Sequence, residues 1–272
     1  MGPLLFLLFV NDIVEIFDDV ISCKLFADDL KLYSVIKSTT IISPLTAALD
    51  CLCVWSAMWQ LKINIEKCIL VHMGSSNYKF HYSLNGTQLK STSHVRDLGV
   101  EIDSSLKFDH HLNNIVTRAY QRINLLFRGF VTKDAVFLKK CFITYVRPIL
   151  EYCSPTWSPY LLCDIDKLEK VQKYFTRRIS GLKEYSYSER LFILNLESLE
   201  LRRLYSDLKM YFLITHKLID LDYSDFFTVI PGKVTTRGHN FKIVLKKCRL
   251  DLSKYSFSNR CVNCWNSLVF IF

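Results

Sequence analysis

A chain of 272 residues, half of them hydrophobic and 14% aromatic, carries too much apolar surface to stay disordered and has the length for one large or two modest domains. Its formal charge of +9 and sequence pI near 9.0 favour an anionic partner such as nucleic acid over an acidic-surface role. Ten scattered cysteines with no secretory signal ahead of them exclude a disulfide-built secreted scaffold; they read as reduced and mostly core, with no disulfide partner.

In chain order, Gly2-Pro3 opens an apolar run, Leu4 to Phe17, expected to be a helix packed under a sheet and closed by Asp18 and Asp19. Its most apolar part, Leu4 to Val10, is too short to cross a bilayer, so an intracellular, non-membrane protein of nucleus or cytoplasm is expected. Two runs rich in β-branched and aromatic residues follow, Ile21 to Ala27 and Leu30 to Val35, with Asp28-Asp29 between them. This pattern predicts a hairpin with acid at its tip. Two like charges about 4 to 5 Å apart repel by roughly 3 to 4 kcal/mol at an effective dielectric near 20, so a cation is expected nearby. Carboxylate oxygens are what Mg²⁺ takes together with substrate phosphates; the bland alternative is a solvated turn. Up to Ile36 two lysines stand against six acids, a net charge of −4, so the excess of base lies downstream.

Ser43-Pro44 has the form of an N-cap and first-turn proline. Leu45, Ala48, Leu49, Leu52, Trp55 and Trp59 then recur at helical spacing, with the tryptophans read as core. A strand is expected over Cys68 to Met73. A hairpin is expected about Asn85-Gly86, between Tyr78–Leu84 and Thr87–Leu89, and a further strand over Val95 to Ile102, in which Gly99 would let a ligand backbone approach. The order β-turn-β, helix, β is that of an α+β fold, an antiparallel sheet with helices on one face.

Beyond Asp103 the apolar period changes from two to 3.6, which places a boundary near 105 and a helical region after it. Leu112, Ile115, Val116, Ala119, Ile123, Leu126 and Phe127 form one stripe, with Arg118, Arg122 and Arg128 off it. Thr132 is expected to cap the next helix, burying Val136, Cys141, Phe142 and Tyr145 and stopping at Pro148. After a turn-rich link over Cys153 to Pro159, a helix from Ile165 to Ile179 buries Leu168, Val171, Phe175 and Ile179. Lys167, Lys170, Lys173, Arg177 and Arg178 run across it beside Glu169, a set of cations that could track a phosphate backbone or simply face water. One or two helices are expected over Leu191 to Tyr211. Lys233 to Lys247 is basic, and Cys261-Val-Asn-Cys264 has half of a zinc-site spacing with no second pair to complete it.

Taken together, these motifs resemble the reverse transcriptase of non-LTR, LINE-type (Jockey-like) retrotransposons. Gly2-Pro3-Leu4-Leu5 through Val10-Asn11-Asp12-Ile13 resembles the second half of the family's Gly-Pro helix. Phe26-Ala27-Asp28-Asp29 resembles the palm hairpin, Asn64-Ile65-Glu66-Lys67 the Asn-x-x-Lys segment, and Val95 to Val100 the strand pair that grips the primer. Arg147-Pro148 to Tyr152, Trp157 and Val171 to Ile179 resemble the thumb, and Asn259-Arg260 with Trp265-Asn266-Ser267-Leu268 the tail after it. The resemblance implies a partial palm over 1–105, a helical thumb over 106–183 and a mainly helical extension over 184–272.

It also implies two-metal nucleotidyl transfer on an RNA template with a DNA primer and deoxynucleoside triphosphates. Asp28 and Asp29 would hold Mg²⁺, Lys67 would lie near the phosphates, Leu98 and Gly99 would position the primer, and the face from Lys167 to Arg178 would hold the duplex. The family's third carboxylate and its fingers are implied ahead of Gly2. A fragment that does not polymerise by itself is therefore expected, and a non-catalytic nucleic-acid-binding remnant of a degenerate element is the alternative.

Overall fold

The computed structural model describes residues 1–36, 44–74, 76–230, 239 and 241–268. The chain divides into two compact units, Met1–Ser105 and Leu106–Phe272, the first mixed and the second helical, so the class is α+β.

In the first unit, α1 (Gly2–Val10) starts with its proline in the first turn and tightens to a 3₁₀ segment over Asn11–Ile16. The expected single helix to Phe17 is thus two pieces, ended before Asp18. Its expected burial also fails: Val10 and Ile13 are buried, but Leu4, Leu5 and Leu8 are 60 to 75% exposed. A helix apolar on every side needs a broad surface over it, and among the described residues the strands form four separate two-stranded ladders.

The acidic hairpin pairs β1 (Ser22–Phe26) with β2 (Asp29–Tyr33), antiparallel, with Phe26 opposite Asp29. Alternation sends Leu25, Leu30 and Leu32 to the core and leaves Phe26, Asp29, Lys24, Lys31 and Tyr33 on the other face. Then comes α2 (Pro44–Met58), which buries Ala48, Leu49, Leu52 and Trp55. Its expected cap, Ser43, lies outside the described residues. Val10, Ile13, Tyr82 and Leu84 join this core. Trp55 Nε1 donates to Asp12 Oδ1 at 3.3 Å and Trp59 meets Phe9 edge-on at 4.9 Å, so both tryptophans are packing residues.

The remaining strands are short. β3 (Ile69–Val71) pairs in parallel with β6 (Lys90–Thr92), around the hairpin of β4 (Ser83–Leu84) and β5 (Thr87–Gln88). Asn85 and Gly86 take φ of 48° and 75°, as a type I′ turn requires. The expected single strand over Val95 to Ile102 is instead a hairpin, β7 (His94–Asp97) and β8 (Val100–Asp103), reversed at Leu98 and Gly99 with φ of 43° and 88°.

The second unit begins with α3 (Asp109–Gly129), whose expected stripe is buried from Leu112 to Leu126. The cap of α4 (Ala135–Tyr145) is Asp134, not Thr132: the Asp134 Oδ2 accepts from Phe137 N at 2.7 Å. Leu138, Cys141 and Phe142 are buried, whereas Val136 and Tyr145, expected to be buried, face solvent at 63 and 52% exposure. Pro148 does not lie in a loop but in the first turn of α5 (Arg147–Glu151), where its missing N–H costs nothing. Within the expected link lies a helical turn, α6 (Ser154–Trp157), with Trp157 fully buried.

Three longer helices follow or flank this pair. α7 (Leu162–Arg177) packs Phe175 on Phe142 with ring centroids 4.5 Å apart. It runs parallel to α3: Asn113 Oδ1 accepts from Lys167 Nζ at 3.1 Å and Asn124 Oδ1 accepts from Arg178 Nη1 at 2.6 Å, the same 54-residue offset at both ends. α8 (Tyr187–Leu194) starts on a Ser186/Glu189 capping box and stops at Asn195, φ 47°. α9 (Leu199–Thr215) starts on Ser198. Three short pieces, α10 (Asp251–Lys254), α11 (Phe257–Arg260) and α12 (Val262–Ser267), close a second core of Tyr211, Ile214, Phe227, Ile243, Val262 and Trp265. Of the basic segment from Lys233 to Lys247, residues 233–238 and 240 lie outside the described residues.

Candidate active site

Asp28 lies in the turn of the β1–β2 hairpin and Asp29 is the first residue of β2, both exposed. Ala27, which starts the turn, takes φ 53°, a left-handed conformation that costs a residue with a Cβ about 1 to 2 kcal/mol. The hairpin thus holds two adjacent carboxylates out from the unit on a strained turn. Among the described residues neither makes an ion pair, and both supply the hard oxygen donors that a divalent ion takes. No third His, Cys, Asp or Glu joins them among the described residues, and Asp12 is engaged with Trp55.

The nearest organised charge was missed by sequence reasoning. Lys31, directly across from Lys24 in the ladder, bonds both oxygens of Asp97 at 2.6 and 2.7 Å. Like charges paired across strands repel, and Asp97 relieves this while tying the acidic hairpin to the β7–β8 hairpin. Leu98-Gly99 is the turn immediately after Asp97, so one ion pair links the two turns that the resemblance assigns to catalysis and primer. Lys67 ends a 3₁₀ turn, Ile65–Lys67, and is exposed.

In the second unit the α7 cations are largely occupied. Lys167 Nζ lies 3.0 Å from Asp164, while Lys170 and Lys173 lie 3.0 and 2.8 Å from Asp166. The two lysines hold the Asp166 carboxyl below the usual range, Lys173 most of all, and Asp166 in turn raises Lys170. Glu169 is not their counterion; it is buried, accepting from the Tyr187 hydroxyl and from Leu199 N at 3.1 Å. Arg178 stacks on Phe127 and Tyr174 at 4.3 and 5.2 Å, and Arg177 is exposed. Of the Cys261-x-x-Cys264 pair, Cys261 is buried with its thiol donating to Asp207 Oδ2 at 3.3 Å. All ten cysteines are free thiols, and among the described residues no helix is long and apolar enough to cross a membrane.

Residues 1–102 match the family model of the reverse transcriptase, or RNA-dependent DNA polymerase. The match spans nearly all of the first unit and includes its Phe26-Ala27-Asp28-Asp29 hairpin. Two of the similar proteins are polymerases of the mobile element jockey. The chain is 24% identical over 196 residues, 68% of its length, to the RNA-directed DNA polymerase from mobile element jockey of Drosophila melanogaster. It is 25% identical over 198 residues to the counterpart in Drosophila funebris. An uncharacterized protein of Caenorhabditis elegans is 26% identical over 132 residues, 47% of this chain and 65% of its own length. The chain spans about a fifth of the jockey polymerases, 21% in each case. No solved structure matches the chain.

Proposed function

We propose that this chain supplies part of the catalytic site of an RNA-directed DNA polymerase, acting on an RNA template, a DNA primer and deoxynucleoside triphosphates. The carrying observation is the exposed Asp28-Asp29 pair on a hairpin inside the stretch that matches the reverse transcriptase family. Asp28 and Asp29 would hold Mg²⁺, which when bound neutralises the triphosphate and activates the primer 3′-hydroxyl. The hairpin's role is to fix the two carboxylates side by side. The Lys31–Asp97 pair sets their register against the Leu98-Gly99 turn, which would position the primer strand. Lys67, exposed, would meet the phosphates and protonate the leaving pyrophosphate. The helical unit, through its cations, would hold the duplex.

Two carboxylates give less charge stabilisation than a complete site and no wall for the incoming nucleotide. With Mg²⁺ and an RNA template, these 272 residues are therefore expected to extend no primer by themselves. Mixed with the segment of a jockey polymerase that lies upstream of the aligned stretch, they are expected to extend it, and Asp28→Ala is expected to abolish that extension. Extension unaffected by Asp28→Ala, or none in the mixture despite salt-sensitive duplex binding, would favour the non-catalytic nucleic-acid-binding remnant. Its support is the uncompensated basic charge of the second unit.

A further inference from the structure

Resting on the reading that the second unit holds duplex, we infer that the phosphate backbone runs along α3, on Arg118, Arg122 and Arg128, and not along the lysines of α7. The two helices lie side by side and parallel, and each carries a set of cations. Their charge states differ. On α7 the three lysines are each paired with Asp164 or Asp166, and Arg178 is fixed between two aromatic rings by Asn124 and the Tyr174 hydroxyl. A phosphate approaching these groups must compete with carboxylates already in place.

On α3 the arginines lie off the buried stripe, Arg118 and Arg122 on its flank and Arg128 opposite it, all exposed, and among the described residues none of the three is in an ion pair. The only acid of that helix, Asp109, is in its first turn, before them. Arg118 and Arg122 are one turn apart, and Arg128 follows about 9 Å further along, a rise of about 15 Å in all at 1.5 Å per residue. At 3.4 Å per phosphate along a strand, that rise covers several phosphates. Guanidinium forks bind phosphate oxygens bidentately, which lysine does not. Between them lies Leu125, 59% exposed, which a sugar edge would cover.

The test is the affinity of the full chain for a short RNA–DNA hybrid duplex, measured across salt concentrations. Changing all three α3 arginines to glutamine is expected to flatten the slope of log K against log salt by about 3, roughly 1 per lost phosphate contact. Changing Lys167, Lys170 and Lys173 to glutamine is expected to flatten it by less than about 1, and the Arg→Lys version of the α3 variant to keep the wild-type slope. Cooperative melting of each variant guards against loss of fold. The reverse ranking of the two triple variants would overturn the inference while leaving duplex binding intact. Absence of salt-dependent duplex binding by the unaltered chain would overturn both this inference and the reading it rests on. Displacement of the duplex by poly-glutamate at equal charge concentration would assign the stripe to an acidic protein and overturn it as well.

Discussion

The two units solve the problem of polar groups in opposite ways. In Met1–Ser105 the residues proposed for the site, Asp28, Asp29, Lys67 and Leu98, are all exposed at or beside turns, and the core beneath them is small. In Leu106–Phe272 polar side chains go inside: Glu169 and Gln172 join the middle of α7 to the starts of α8 and α9, and Asp207 is buried against Arg260. The first unit can lose a polar side chain with little cost to its fold, whereas the second is pinned by such groups. An effect of mutation on activity is therefore readable in the first unit and confounded with folding in the second. The exposed leucines of α1 make the same point from the apolar side, since the first unit leaves unburied what the second would bury.

The sharpest break in that comparison is Asp207→Ala. Asp207 Oδ1 and Oδ2 accept from Arg260 Nη2 and Nε at 2.7 and 2.8 Å, and Oδ2 also accepts from the Cys261 thiol. The two side chains are 3% and 12% exposed. Removing the carboxylate strands a guanidinium that keeps only Pro155 O, and a loss of about 3 to 5 kcal/mol is expected. Denaturant unfolding of Asp207→Ala, Arg260→Met and the double variant measures it. The double variant is expected to recover part of the loss, because the burial penalty of the orphan is gone. A loss below about 1 kcal/mol would mean that the pair is solvated.

Alkali comes next. Burial pushes the Cys261 thiol up to about 12, helped by the charge of Asp207 and the bond to it. An unfolded thiol loses its proton near pH 8.5, so between that pH and about 12 the folded state binds the proton and the unfolded state does not. Stability then falls as pH rises, by at most about 1.4 kcal/mol per pH unit for one group. Tyr187 and Tyr211 are raised by burial too, Tyr187 also by Glu169, and steepen the fall above pH 10. Urea midpoints of the second unit are expected to drop between pH 8.5 and 10.5, and to drop less in Cys261→Ala. A flat profile would remove the thiol from the core.

Local signals carried most of the first unit's architecture and the start of the second. Alternation around Asp28-Asp29, the Asn85-Gly86 turn and the α2 and α3 stripes were all visible because each depends on residues within one element. The Leu98-Gly99 reversal was hidden because leucine is not a turn signal and the alternation continues through it. Thr132 and Asp134 are both capping types two residues apart, and only the bond to Phe137 N decides between them. That Asp166 stands four and seven residues before Lys170 and Lys173 was legible by helix spacing. Lys31–Asp97 and Asp207–Arg260, 66 and 53 residues apart, were not legible, since nothing in local pattern specifies partners at such distance.

Smaller effects test the first unit's side of the comparison. Ala27→Gly relieves a positive φ at the hairpin tip but adds backbone entropy to the unfolded chain, so a net gain of up to about 1 kcal/mol is expected. A loss on that substitution would show that Ala27 is unstrained. Lys31→Met breaks an ion pair whose side chains are 35% and 26% exposed and is expected to cost about 0.2 to 1 kcal/mol in denaturant unfolding.

The smallest effect bears most on function. Asp28 is exposed, ion-paired to nothing among the described residues, and beside a second carboxylate, so Asp28→Ala removes repulsion and no contact. Its unfolding free energy is expected to lie within about 0.5 kcal/mol of the unaltered chain, as for surface substitutions away from special features. Loss of complemented primer extension in this variant would then be a loss of chemistry alone. A destabilisation above about 1 kcal/mol would instead mean that the carboxylate holds the turn together, and the hairpin would be a structural turn first and a metal site second.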